Sequence, residues 1–450
     1  MARIADTERS REIKTIRRVL DWLIFAFALA VGGAWVFILA NPSRYLANDP
    51  SIGNVMAFFV GPPVVLVVLV GVIRLGRPRR TNVQFAIVSA LIVLFSVEGV
   101  LSVDLSVPEQ SVREAVSKMR QQGSNVFPVL DRGELSQIKL DPSGLFPIAQ
   151  LPDADIVHCN AGGVPSVFRS DRYGFRNPPD GVLLPFRAVA VGDSFTMGSC
   201  IDDGETFVDL LRNQLGPVLS IAAPGNGPLS NLAGYREFVE ADPDLRFEYL
   251  IWFHYQNDFG DLDWEVSTHL LRYAEPGFSQ GLRSKLDVLR REMSARLERP
   301  DGGVGELRHL VRQRGPLGGV VDFAKATEVR RYLGMLGRGG EWTPLDLDLF
   351  ERILRSARDD ANQRNAKMVF VYIPSYDDIR WSGNNKEYGR LESVKVARSL
   401  GLEVLDLTEM LRNRGNPFDI FPNGRAVHYN ATGHQLIATS VIDLLETLER

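Results

Sequence analysis

The sequence predicts an α/β fold: a parallel sheet with helices on both faces, preceded by three transmembrane helices and interrupted by a helical insertion. Two observations predict it. From residue 187 onward, short and nearly continuous apolar runs alternate with amphipathic stretches. Before that, three long apolar runs fill the first hundred residues.

At 450 residues the chain has room for two or three folded units. Hydrophobic residues at 45% and charged residues at 24% suit a folded protein. The net charge of −4 provides no basic balance that would suggest a nucleic-acid partner.

The apolar runs cover residues 19–40, 55–73 and 83–103. Each is close to the ~20 residues that a helix needs to cross a ~30 Å hydrocarbon core. Lys and Arg are concentrated in residues 1–18 and at Arg74, Arg77, Arg79 and Arg80, while the loop between the first two runs carries only Arg44. By the positive-inside rule the N-terminus is then cytoplasmic and everything after residue 103 is exported. The expectation is a multi-pass protein of a bacterial-type inner membrane, with the lipid bilayer as a partner. Gly61-Pro62-Pro63 is expected to kink the second span, and Glu98 to reach the outer interface of the third.

Residues 104–186 read as a loosely organised approach segment, with one short helix in "SVREAVSKMRQQG" and strand-like pieces such as "SVFRSDRYGF". Beyond them the rhythm is regular. "RAVAVGDS" is a buried strand, "ETFVDLLRNQL" a helix, "GPVLSIAAPG" a strand, "LSNLAGYREFVEA" a helix and "FEYLIWFHYQND" a strand. Residues 262–344 break the pattern with charged helical sequence and read as an insertion. Then follow a helix in "LDLFERILRSARDDANQRN", the strand "KMVFVYIPS", a helix near 385–399, the strand "GLEVLDL" and the closing helix "NATGHQLIATSVIDLLETL". Apolar strands of this kind are buried on both faces, which argues for a parallel sheet. Ligands of such sheets bind at the carboxyl ends of the strands.

Candidate site residues were sought at those ends. Ser194 follows the first strand in "GDSF"; a turn capped by Asp193 and Ser194 is the simpler reading of that stretch alone. Gly225 in "APGNGP" can bring a backbone N–H close to a ligand, and Asn257 in "YQNDFGD" has a carboxamide donor. His428 in "RAVHYNATGH" precedes the last helix. A serine hydroxyl needs a base, and its oxyanion needs donors. His254 reads as a core or rim histidine, and His434 as a solvent-facing one.

These four residues, in this order and spacing, resemble the SGNH or GDSL-type hydrolases, in particular their membrane-anchored members. "DRYGFRNP" and "DDGETF" around the first strand add to the likeness, which covers residues 160–450 without the insertion. The resemblance implies a flavodoxin-like sheet and a serine esterase. Ser194 would attack an ester carbonyl and His428 would act as base. The N–H groups of Ser194 and Gly225 and the Asn257 side chain would form the oxyanion hole. No metal or organic cofactor is implied. The substrate would be an acyl ester, acetyl above all, on a cell-surface glycan. The alternatives are a glycan O-acyltransferase component working with a membrane acyltransferase, and a non-catalytic membrane protein of polysaccharide assembly. One position departs from the family: Arg425 stands where the family's Asp precedes its His, so a backbone carbonyl or Asp419 would have to orient His428. Gln256 stands in the place of the family's glycine before Asn257.

The only cysteines are Cys159 and Cys200. Both lie in the part expected to be exported, in loop-like sequence, so a disulfide between them is predicted.

Overall fold

The computed structural model describes residues 61–75, 77–102, 112–135, 138–140, 142–161, 163–178, 185–298, 344–380, 388–422 and 428–450, with scattered positions between 15 and 39. The chain divides into two compact units: residues 1–105 with 314–341, and residues 106–313 with 342–450.

The first unit corrects the membrane expectation. Among the described residues no helix is long and apolar enough to cross a membrane. The helix Gly61–Arg74 has 14 residues, only about 21 Å at 1.5 Å per residue. Gly61, Pro62 and Pro63 lie at the described N-terminal end of this helix. The helix Arg77–Ser102 has 26 residues, but it begins on Arg77, Arg79 and Arg80. Its longest stretch free of charged and amide side chains, residues 85–97, spans about 20 Å. Gln84 is buried in this helix and donates to Asp21 Oδ1 at 2.7 Å. In the first apolar run, residues 19–40, the described positions (21, 22, 25–29, 31–33, 35, 36 and 39) are helical, and the rest lie outside the described residues. The three spans, the bilayer partner and the inner-membrane location are therefore corrected, and the export assignment loses its basis.

The second unit is built on a five-stranded sheet. Its strands are β4 (Phe186–Gly192), β5 (Val218–Ala222), β6 (Phe247–Tyr255), β7 (Lys367–Ile373) and β8 (Glu403–Asp406). The order is β5-β4-β6-β7-β8, with every pair parallel. Counted within this sheet the order is 2-1-3-4-5, the flavodoxin-like winding, and the direction in which strands are added reverses at β4. Both faces are buried by alternation along each strand. Val189, Val191, Leu250, Trp252 and Phe370 enter one core cluster. Ala188, Ala190, Ile251, Phe253, Val369 and Val371 enter the other. Helices Pro228–Tyr235 and Pro344–Gln363 cover the first face through Leu232, Phe350 and Ile353. Helices Phe207–Leu215 and Ala431–Leu448 cover the second through Leu211, Ile437 and Val441.

The approach segment is better ordered than expected. It forms a second sheet of β1 (Val126–Pro128), β2 (Asp155–Ala161) and β3 (Val164–Arg169). β1 is parallel to β2, and β2 is antiparallel to β3, with a register shift between Val157 and Cys159. Phe127, Ile156 and Phe168 of this sheet join the first core cluster. The insertion is helical where described: Asp258–Glu265, short 3₁₀ turns, and Leu286–Leu297, whose Leu289, Met293 and Leu297 are also core residues.

Candidate active site

The turn after β4 is both a cap and an active-site candidate, because the two roles fall on different residues. Gly192 closes the strand; a Cβ there would meet Thr196 Oγ1 at 2.1 Å, so the chain turns only with glycine. Asp193 is the cap: its Oδ1 accepts from the Phe195 N–H at 2.9 Å. Ser194 is then the first residue of the helix Ser194–Met197 and leaves its hydroxyl unused by the cap.

The closing helix positions the candidate base. Asn430 caps Ala431–Leu448 by accepting from Gly433 N–H at 3.1 Å, and its Nδ2 donates to the Asp419 carbonyl at 2.7 Å. Tyr429 is buried and donates to the Pro374 carbonyl. His428, held directly before them, puts Nε2 at 2.7 Å from Ser194 Oγ. Burial lowers the His428 pKa to about 4. A neutral ring that accepts the serine proton at Nε2 carries its own proton at Nδ1. Phe195 lies 4.8 Å from the His428 ring and stacks on Tyr255 at 3.8 Å.

Position 425 lies outside the described residues. The Asp419 carboxylate is engaged by Arg414 at 3.0 and 3.1 Å, and among the described residues no hydrogen bond is seen between it and His428. His434 corrects the solvent-facing expectation. It is buried, its Nδ1 accepts from the Phe207 N–H at 3.0 Å, and its ring stacks on Phe207. Burial lowers its pKa to about 3, so it serves the helix contact as a neutral acceptor. His254 is a core residue, with Nδ1 3.1 Å from Asp258 Oδ2.

The parallel order places Gly225 and Asn257 just past the carboxyl ends of β5 and β6, the two strands that flank β4. Gly225 has φ +70°, and a Cβ there would stand 3.2 Å from the backbone nitrogen and Cβ of Arg132. The loop around it is clamped from both sides. The Arg132 N–H donates to the Pro224 carbonyl at 2.9 Å, and its guanidinium donates to Asn226 Oδ1 at 3.0 Å and to the Ile148 carbonyl at 2.7 Å. Asn226 Nδ2 donates back to the Gly192 carbonyl at 3.2 Å. The buried Glu265 carboxylate accepts from the N–H groups of Gly227, Leu229 and Ser230 at 2.9 to 3.0 Å. Burial raises the Glu265 pKa to about 7 against these bonds. Asn257 is exposed at the start of Asp258–Glu265, and its Nδ2 donates to Asp261 Oδ2 at 2.8 Å. Burial, followed by the charges of Asp258 and Glu265, raises the Asp261 pKa to about 9.

The predicted disulfide and two residues that the sequence reading left without a role, His158 and Arg176, brace the turn that carries Ser194. Cys159 and Cys200 form a disulfide. His158, at the register shift of β2, accepts the Cys200 N–H at Nδ1 (3.3 Å). Burial lowers its pKa to about 3, followed by the charges of Arg176 and His428. A bulge of this kind re-aims a side chain, often beside an active site. Arg176, from "DRYGFRNP", is buried and donates to the carbonyls of Gly198 and Ile201 at 2.8 Å each and to Asp203 Oδ1 at 2.6 Å. His158 was legible as a histidine beside a cysteine; its role depends on a pairing register that spacing does not reveal.

No family model matches this chain. No curated protein matches it either. Solved structures similar to it include a member of the lipolytic protein G-D-S-L family from Veillonella parvula, with 11% identity and a TM-score of 0.32 over 57% of this chain and 96% of that one. The psychrotrophic esterase EstA from Pseudoalteromonas sp., inhibited by monoethylphosphonate, shows 9% identity and a TM-score of 0.31 over 59% of this chain and 100% of its own. The lipase/acylhydrolase from Enterococcus faecalis shows 10% identity and a TM-score of 0.33 over 58% of this chain and 96% of that one.

Proposed function

We propose that the chain is a serine ester hydrolase of SGNH/GDSL type. The observation that carries this reading is the 2.7 Å contact between Ser194 Oγ and a neutral, buried His428 Nε2 at the strand end where the winding reverses. In this reading Ser194 Oγ attacks the ester carbonyl carbon while its proton passes to His428 Nε2. The tetrahedral intermediate collapses, the C–O bond to the alcohol breaks, and His428 gives the proton to the leaving oxygen. Water then attacks the acyl-serine, losing a proton to His428, and the acid departs as Ser194 recovers its hydrogen. The oxyanion of each intermediate is assigned to the N–H groups of Ser194 and Gly225 and to the Asn257 carboxamide.

Two features support these donors. Gly225 and Asn257 follow the strands on either side of β4, and an amide has a second N–H beyond the one given to Asp261. The glycan acceptor depended on export and loses that support; acetyl remains the acyl group to assay first.

The test is hydrolysis of 4-nitrophenyl esters from acetate to octanoate by the full chain and by Ser194→Ala. The expected loss is on the order of 10⁴-fold or more. Equal rates in the two proteins would sink the proposal.

A further inference from the structure

Away from the Ser194–His428 pair, a cavity of about 290 Å³ opens between the helix Leu286–Leu297 and the stretch around Lys139. Its lining has an unusual charge balance. Lys139, Arg291 and Arg296 face it together with a single acid, Glu292, and the apolar Leu140 and Pro142. The Glu292 carboxylate is not free to neutralise them all: it is mostly buried and accepts from Ser143 Oγ at 2.5 Å. Among the described residues none of the three cations has an ion-pair partner, and Arg296 Nε is shut off from solvent without any acceptor.

Neighbouring cations behave differently. Arg290, on the same helix, pairs with Asp153 at 3.4 Å, and Arg283 just before it pairs with Asp242 at 2.5 Å. Pairing is therefore available on this surface, and the cavity is where it stops. Three like charges around one hollow repel each other, and a buried donor without an acceptor is unfavourable. Both costs are relieved if an anion occupies the space. The arginine fork matches the paired oxygens of a phosphate, sulfate or carboxylate. The volume is too large for a bare oxyanion and close to the lower bound of about 300 Å³ for small-molecule pockets. Leu140 and Pro142 supply an apolar wall for a carbon ring.

We infer that this cavity binds a monosaccharide-sized ligand carrying an oxyanion, with Arg291 and Arg296 gripping the anionic group and Lys139 at its rim. The site does not rest on the ester chemistry, since none of its residues is assigned to the Ser194–His428 site.

Calorimetric titration of the full chain at low salt provides the test, with glucose 6-phosphate, glucuronate, glucose and inorganic phosphate as separate ligands. Glucose 6-phosphate or glucuronate should bind, and which of them is tighter identifies the oxyanion. Glucose should not bind, and inorganic phosphate should bind more weakly than the better sugar. Arg296→Gln should weaken that sugar at least about tenfold, as expected for one charged hydrogen bond of about 1.5–3 kcal/mol. Lys139→Gln, at an exposed position, should weaken it by less and keeps the test open if Arg296→Gln fails to fold. The inference is overturned if neither sugar anion binds, if inorganic phosphate binds as tightly as the sugars, or if the folded variants bind like the wild type.

Discussion

The two turns that flank the nucleophile are held in different ways. The Gly225 turn is gripped by Arg132 from the small sheet's side and by Glu265 from the helix beyond, and Asn226 ties it to Gly192 of the nucleophile strand. Asn257 itself is exposed, and its carboxamide has one side-chain bond, to Asp261. The same contrast runs through the catalytic pair. Ser194 sits on a turn braced by Arg176 and the Cys159–Cys200 disulfide, whereas the pKa of His428 is set by burial. A backbone donor at Gly225 is thus placed by the fold itself, while a side-chain donor at Asn257 can be lost without loosening anything else. Changes on the braced side should cost stability and rate together; changes on the lightly held side should cost rate alone.

The largest effect is expected at His428, which carries the sharpest form of the contrast. His428→Ala should abolish labelling of Ser194 by a serine-directed phosphonate, with little change in Tm, and His434→Ala should keep the labelling while lowering Tm. Labelling lost in His434→Ala and kept in His428→Ala would mean the base is misassigned. The pH profile follows from the same burial. The base must be neutral, and its pKa is lowered to about 4, so kcat/KM should hold as pH falls and drop only through about pH 4. An acid limb near the ordinary histidine value of about 6.5 would show a carboxylate raising His428 in solution.

The disulfide comes next. It joins positions separated by 41 residues, for which chain entropy predicts a loss of about 4 kcal/mol when it is removed. Replacing Cys159 and Cys200 together by serine should lower Tm markedly and reduce hydrolysis, because Cys200 ends the nucleophile turn. A large fall in Tm with kcat intact would detach the brace from catalysis.

Asn257→Ala is the counterpart on the lightly held side. It should reduce kcat about 10²–10³-fold with Tm unchanged, as for loss of one oxyanion donor. An unchanged kcat removes Asn257 from the oxyanion hole. The smallest effect is expected from Gly225→Ala. Its φ of +70° costs a residue with a Cβ about 1–2 kcal/mol, and the new methyl would press on Arg132 at 3.2 Å. Denaturant midpoints and kcat should fall together; a change in only one would break the link between the clamp and the donor.

Much of this arrangement was legible in the sequence. The apolar strands "RAVAVGDS", "FEYLIWFHYQND" and "KMVFVYIPS" became β4, β6 and β7 because a strand buried on both faces has no polar alternation to hide. Ser194, Gly225, Asn257 and His428 were found from their place after strands or before the last helix, a local property of the chain. The cysteine pair followed from there being only two. What the sequence misjudged was environment. The apolar runs near the N-terminus looked like membrane spans by length, yet among the described residues no helix is long and apolar enough to cross a membrane. His434 was expected to face solvent on the last helix; tertiary packing turned it onto Phe207. Arg132, His158 and Arg176 act on turns 21 to 94 residues away through hydrogen bonds that exist only once distant segments meet. Sequence determines which side chains are available and on which element they lie. Which of them meet is decided by long-range register, because a hydrogen bond needs a distance near 3 Å that no local pattern can encode.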